Sequence, residues 1–354
     1  MGILSMRVAL PFSLVVVSAV GCVPTFDDNL PLIAKPTVIA VQAEPAEAPP
    51  GKQVQLSAVI ATPELAGTAP KLSWGLCIAR KPLTELGPVN PVCVQAPSQA
   101  PKDILDLGSA ATVTATLPMD ACRLFGPSLP EPMNGEPAGR PVDPDPTGGF
   151  HQPISVTLLD SAVTSMGSVR IFCPPSGLDQ LQAAEFNAKY RYNQAPSLDA
   201  LSARTDAGEI LPIPDEPGAL SVAPKQVLNL EASWQACPTS AECGDGICGM
   251  GEDKNNCADD CTAAKGCTGA ESYAWFNAES RAIETRHESI RVSWFSTAGH
   301  FEDAVTGREE DEFAQTTTGT PWTAPEAAGE LRVWAVIRDA RGGQSFRSFL
   351  ISVR

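Results

Sequence analysis

Six cysteines lie between positions 237 and 267, spaced C-x5-C-x4-C-x8-C-x3-C-x5-C, in a chain of 354 residues that holds 11 cysteines in all. A segment this short and this polar cannot enclose a hydrophobic core, so it needs covalent or metal staples. Thiols become disulfides in an oxidising compartment, and metal ligands or free thiols elsewhere. The address of the chain therefore decides what the cysteines do.

The N-terminus supplies that address. Arg7 is followed by a mostly apolar run from Val8 to Val20, interrupted by Pro11, Ser13 and Ser18. The run is too short to span a bilayer and reads as a signal peptide over residues 1–21. It ends in SAVGC, which resembles the lipobox of bacterial lipoproteins, with Ala19 where leucine is usual. The resemblance implies that Cys22 is acylated on sulfur and begins the mature chain, with residues 22–34 as lipidated terminus and tether. Two or more acyl chains on one residue hold a protein stably to a membrane. Val23, not aspartate, follows Cys22. That points to the outer membrane of the cell envelope and leaves the periplasmic or surface face open.

Export leaves ten cysteines besides Cys22, an even number that fits disulfides. Cys77, Cys93, Cys122 and Cys173 form one set. Cys237, Cys243, Cys248, Cys257, Cys261 and Cys267 form the other. Each set can close on itself. Among the three pairings open to the first set, Cys77–Cys93 with Cys122–Cys173 is preferred because it closes a short loop beside one strand. A Cys237–Cys267 bridge is one of several ways to bring the ends of the cluster together.

With 33 prolines and 28 glycines, long helices are disfavoured and short strands expected. KQVQLSAVI alternates, with Val54, Leu56, Ala58 and Ile60 on one face, the period of a half-buried strand. Further strands are expected at 71–79, 111–117, 154–160 and 168–172, with a proline-rich loop over 118–149. One helix is expected over 178–189, placing Leu178, Leu181 and Phe186 near one side.

The second half echoes the first. Lys35–Ala43 matches Ala195–Ala203, KQVQLSA at Lys52 matches KQVLNLEAS at Lys225, and LSW ending at Trp74 matches VSW ending at Trp294. The second copy is longer between these landmarks, and the cysteine cluster lies in the excess. The ending LRVWAVIRDARGGQSFRSFLISV reads as two strands joined at a tight turn by Asp339 and Gly342–Gly343. It resembles the final hairpin of immunoglobulin-like and PKD-type domains, in which a central-strand tryptophan packs across the sandwich; Trp74 and Trp294 match that role. The expected fold is all-β, two tandem immunoglobulin-like β-sandwiches over 35–192 and 193–354, with a disulfide-rich insertion at 237–267.

Chemistry is sparse. GDGICG matches a dinucleotide loop literally, but neither a strand nor a helix flanks it. The cysteine spacing lacks the paired C-x2-C knuckles of a zinc site. Asp245, Glu252, Asp253, Asp259 and Asp260 offer hard oxygens, so calcium is the one metal weighed against a plain disulfide knot. The stretch resembles the CGDGxC…GE…C…DC modules of lipid-anchored proteins from myxobacteria and relatives, a likeness that supplies architecture and address without an activity. A net charge of −16 disfavours nucleic acid. His151, His287 and His300 fall in no catalytic motif, and Asp143 and Asp145 sit in a proline-bounded loop. Trp334 lies opposite the aliphatic face of its strand, where it would cover the inserted knob or stay partly exposed. The expectation is a non-enzymatic binding or scaffolding protein with no cofactor, acting on an unknown envelope protein or glycan. The alternatives are a calcium-dependent adhesin or glycan-binding protein, and a glycan-acting hydrolase using the loop carboxylates.

Overall fold

Alternating apolar residues in the first half build eight strands and two facing sheets. The computed structural model describes residues 31–65, 67, 69–79, 89–124, 145–175, 177–239, 242–244, 247–249, 251–262 and 266–354. The strands are β1 (Thr37–Glu44), β2 (Glu47–Ala48), β3 (Gln53–Ala61), β4 (Leu72–Cys77), β5 (Ile104–Gly108), β6 (Thr112–Thr116), β7 (Gly149–Leu158) and β8 (Val163–Phe172), with a one-turn α1 (Ala121–Leu124) before β7. One sheet has the order β1-β3-β6, the other β2-β8-β7-β4-β5. Between them lie Val54, Leu56, Trp74, Leu76, Val113, Ile154, Val156 and Ile171.

Helix α2 (Gln180–Lys189) and an extended linker lead to the second sandwich. Asp179 caps α2 by accepting from the amides of Leu181 and Gln182. Phe186 is buried, whereas Leu181 is 82% exposed, so the expected apolar stripe of the helix is narrower than its spacing suggested. The second sandwich comprises β9 (Leu198–Thr205), β10 (Ile210–Pro212), β11 (Ala219–Val222), β12 (Val227–Trp234), β15 (Ile290–Ser296), β16 (His300–Phe301), β17 (Val305–Arg308), β18 (Thr317–Thr323), β19 (Gly329–Asp339) and β20 (Gln344–Val353). Its sheets run β10-β9-β12-β18-β16 and β11-β20-β19-β15-β17.

The halves are topological copies. β1, β3 and β6 correspond to β9, β12 and β18; β2, β8, β7, β4 and β5 correspond to β11, β20, β19, β15 and β17. In each copy a short strand pairs parallel to the last strand while its neighbours pair antiparallel. This is an immunoglobulin-like all-β sandwich used twice. The three sequence echoes fall on equivalent strands. Trp74 and Trp294 occupy equivalent places on β4 and β15, both in the core. Each satisfies its indole N–H there, on the Ala110 carbonyl at 2.9 Å and the Thr306 hydroxyl at 3.0 Å.

Between β12 and β15 the second copy carries the cysteine module with α3 (Ala258–Thr262), and then a hairpin of β13 (Ser272–Asn277) and β14 (Ala282–His287). The insertion is therefore larger than the module. Cys77 bridges Cys93, and Cys122 bridges Cys173. In the module Cys237 bridges Cys267 with Cα atoms 5.6 Å apart, and Cys243–Cys257 and Cys248–Cys261 complete it.

Two expectations change at the contact between the sandwiches. Residues 31–34 are not a free tether: Ser296 donates to the Pro31 carbonyl at 3.0 Å, and Ile33 donates to the Ser296 carbonyl at 2.8 Å, where β15 extends past its last pairing with β17. Trp334 neither covers the module nor stays exposed. It packs with Val336 against Ile33, Ile39, Ala40, Val59 and Ala61. β19 is apolar on both faces because one face fills its own core and the other meets the first sandwich.

Candidate functional site at the domain junction

Beside that apolar seam the junction is polar and ionic. Arg338, on β19, donates to the Ile39 carbonyl at 2.6 Å and to the Ser293 hydroxyl at 2.9 Å. Gln344, opening β20, donates to the Val41 carbonyl. The β19–β20 turn then inserts Asp339 and Arg341 among groups from three other segments.

Arg341 is 2% exposed. Its guanidinium donates to Glu288 at 2.7 Å, to Glu271, and to the Arg191 carbonyl at 3.0 Å, and it lies over the Tyr273 ring at 5.3 Å. Asp339 accepts from the Arg341 and Gly343 amides, both at 2.8 Å, and from the Asn193 side chain at 3.1 and 3.2 Å. The turn needs its glycines. Gly342 has φ +96°, and a Cβ on Gly343 would meet an Asp339 carboxylate oxygen at 2.2 Å.

The first sandwich contributes Glu47, 2% exposed, which accepts from the Asn193 amide at 2.8 Å and from the Tyr190 hydroxyl. Arg170 pairs with Glu47 at 3.3 Å and Asp145 at 3.1 Å. From the module side, the buried Arg191 donates to Cys248 Sγ at 2.8 Å and to the carbonyls of Gly249, at 2.8 Å, and Glu252. Lys254 donates to the carbonyls of Ala188 and Asn187, which closes the C-terminal end of α2. The linker Tyr190–Asn193 is thus gripped from three sides.

Burial sets the electrostatics. It pushes the Glu271 carboxyl up to about 8, against the pull of Arg341 and with further help from Glu288. Glu288 and Asp339 are also raised by burial; Arg341 opposes the shift at both, and Glu288 adds to it at Asp339. Among the described residues, Glu271 Oε1 and Asn193 Oδ1 are buried without a hydrogen-bond partner. A site of this kind holds domains together; Asp339 and Arg338 also line an open cavity of about 250 Å³ between the sandwiches, but the Asp339 oxygens are turned to Asn193 and to the amides of their own turn.

Of the candidate residues singled out in the sequence, Asp145 reaches the edge of this site and the others lie elsewhere. Cys22, Asp143 and Asp245 are outside the described residues. Asp145 fixes its own turn, accepting from the Thr147 amide at 2.8 Å, and pairs with Arg170. In the module Glu252 accepts from the amides of Glu242, at 2.6 Å, and Gly249, at 2.7 Å. Asp253 accepts from Asn255 and Asn256, Asp260 accepts from Gly244 at 2.5 Å, and Asp259 is exposed. Oxygens of Glu252 and Asp260 approach Cys243 and Cys257 sulfurs, which are bridged and offer no thiolate to a metal. His287 stacks on Phe313 with ring centroids 3.6 Å apart.

Apart from Asp339 with its turn glycines and Asp145, the junction residues carry little local signal, because they converge from distant positions, Glu47 to Arg341. A faint signal existed in Glu288, an acid two residues before the core strand Ile290–Ser296.

No family model matches the chain, and no curated protein matches it. Solved structures give faint likenesses. The D00-D0 domain of intimin is 6% identical with a TM-score of 0.21, covering 89% of this chain and 99% of that one. The fibronectin(III)-like modules of Clostridium thermocellum CbhA are 9% identical with a TM-score of 0.19, covering 89% and 94%. Escherichia coli alpha-2-macroglobulin activated by porcine elastase is 9% identical with a TM-score of 0.21; 90% of this chain is covered but 22% of that one. Likeness at this level carries no argument, and the fold assignment rests on strand order and register.

Proposed function

We propose that the protein is a non-enzymatic lipoprotein of the cell envelope. Acylated Cys22 anchors it to the outer membrane, and its two joined sandwiches act as a binding or scaffolding body for another envelope component, protein or glycan. The observation that carries this reading is the use made of its buried charge. Arg170 pairs with Glu47 inside the first sandwich and Arg341 with Glu271 and Glu288 inside the second, and Asn193 joins the two sets by bonding to both Glu47 and Asp339. A catalytic carboxylate has to face a cleft that substrate can enter. Charges arranged in this way serve to fix one domain against the other, as a scaffold requires. The sequence supports the anchor through Arg7, the apolar run and the VGC ending.

The test is cross-linking in intact envelopes, comparing the wild type with Cys22→Ser, together with mass spectrometry of the mature N-terminus. An acylated Cys22 and a discrete cross-linked partner that depends on it are expected. An unmodified N-terminus at another residue overturns the anchor. Turnover of an envelope glycan by the purified protein overturns the non-enzymatic role.

A further inference from the structure

The junction buries more acid than base. Glu271 and Glu288 share the single guanidinium of Arg341. Asp339 adds a third carboxyl, held by Asn193 and two backbone amides. Removing ionised carboxylates from water is costly unless each is paired, so surplus acids in such a place keep their protons. We propose that Glu271, Glu288 and Asp339 form a pH-sensitive lock on the domain junction, closed while they share protons and loosened when the protons leave.

The surrounding charges favour that reading. On the first sandwich Glu47 is matched by Arg170, which Asp145 also holds. His151, at the rim beside the turn, is held below its usual value by desolvation and then by Arg170, so it adds no cation there. From the linker, Arg191 turns its N–H groups to a sulfur and two carbonyls, and Tyr190 turns its hydroxyl to Glu47. Tyr273 on β13 covers Arg341 and stays neutral, since burial pushes its hydroxyl up to about 12. A second ionised carboxylate at Arg341 would therefore feel only the through-space charge of Arg191 and Arg170, whose N–H groups are committed elsewhere. The elements that would separate are the β19–β20 turn, which carries Asp339 and Arg341, and the linker, which carries Asn193.

The test reads amides that belong to the lock. Asn193 N–H donates to Glu47, and those of Arg341 and Gly343 donate to Asp339. Hydrogen exchange on the mature chain in detergent is compared at pH 6 and pH 9, after correction for intrinsic base catalysis. Protection of these three amides should fall by roughly tenfold or more, as in a local opening. The Val292 and Trp294 amides in the β15 core should hold. Glu271→Gln and Glu288→Gln should each blunt the loss. Infrared spectra of the wild type provide a second measurement that does not depend on the variants folding: a protonated-carboxyl band present at pH 6 should vanish by pH 9. Unchanged protection, absence of that band at pH 6, or loss of protection throughout both sandwiches at once would overturn the proposal.

Discussion

Arg341 shows how much one side chain holds. Its guanidinium satisfies Glu271, Glu288 and the Arg191 carbonyl, so Arg341→Met would leave two buried acids without their cation. Breaking a buried ionic set from one side costs about 3–5 kcal/mol, and chemical denaturation should show a loss of that order. The pH dependence follows from Glu271, whose carboxyl is raised from 4.5 to about 8. A raised carboxyl stabilises the fold fully below its unfolded value and loses that contribution as pH rises toward its folded value. Stability should therefore decline from pH 4.5 to about 8, by about 1.4 kcal/mol per pH unit for each proton retained. Urea midpoints across that window check it; a rising midpoint would refute the assignment. Little of this was legible in the sequence. Arg170 lies between two core residues, Val169 and Ile171, where alternation points it away from the core; only the fold reveals a second buried surface on that side.

At the scale of elements, the strands on single-faced sheets were readable and those with two buried faces were not. Val54 and Leu56 alternate as expected, but β3 ends with Val59 and Ala61 buried on the opposite face, against the second sandwich. β19 behaves in the same way, so its Trp334 looked misplaced until the neighbouring domain accounted for it. Trp334→Ala should weaken the seam by about 3–5 kcal/mol, the usual cost of emptying a buried tryptophan site, while each sandwich keeps its own core. Near-ultraviolet circular dichroism and melting of the variant should show both sandwiches folded but no longer unfolding together. The short strands β2, β10 and β16 carry too few residues to show a period. The cysteine module is tied to its surroundings by Arg191 and Lys254, so it is more than an appendage. Replacing Cys237 and Cys267 together with serine should cost roughly 2–5 kcal/mol and free the linker amides in hydrogen exchange. Wild-type stability in that double variant would show the bridge to be dispensable.

For the whole molecule, the repeat was legible because three echoes preserved their order, and equivalent strands carry all three. The side-by-side packing was not legible, because no local pattern records which surfaces of two similar domains will meet. It arises from residues 31–34 pairing with β15, from the apolar seam around Trp334, and from the ionic lattice linking Glu47 to Asn193 and Asp339. Tandem sandwiches joined only by a linker unfold as independent units; sandwiches that share a buried boundary this extensive unfold together. Differential scanning calorimetry of the mature wild-type chain at pH 6 tests this most directly. One transition whose calorimetric enthalpy equals its van't Hoff enthalpy is the expected result. Two resolved transitions, each with the enthalpy of a single sandwich, would contradict it.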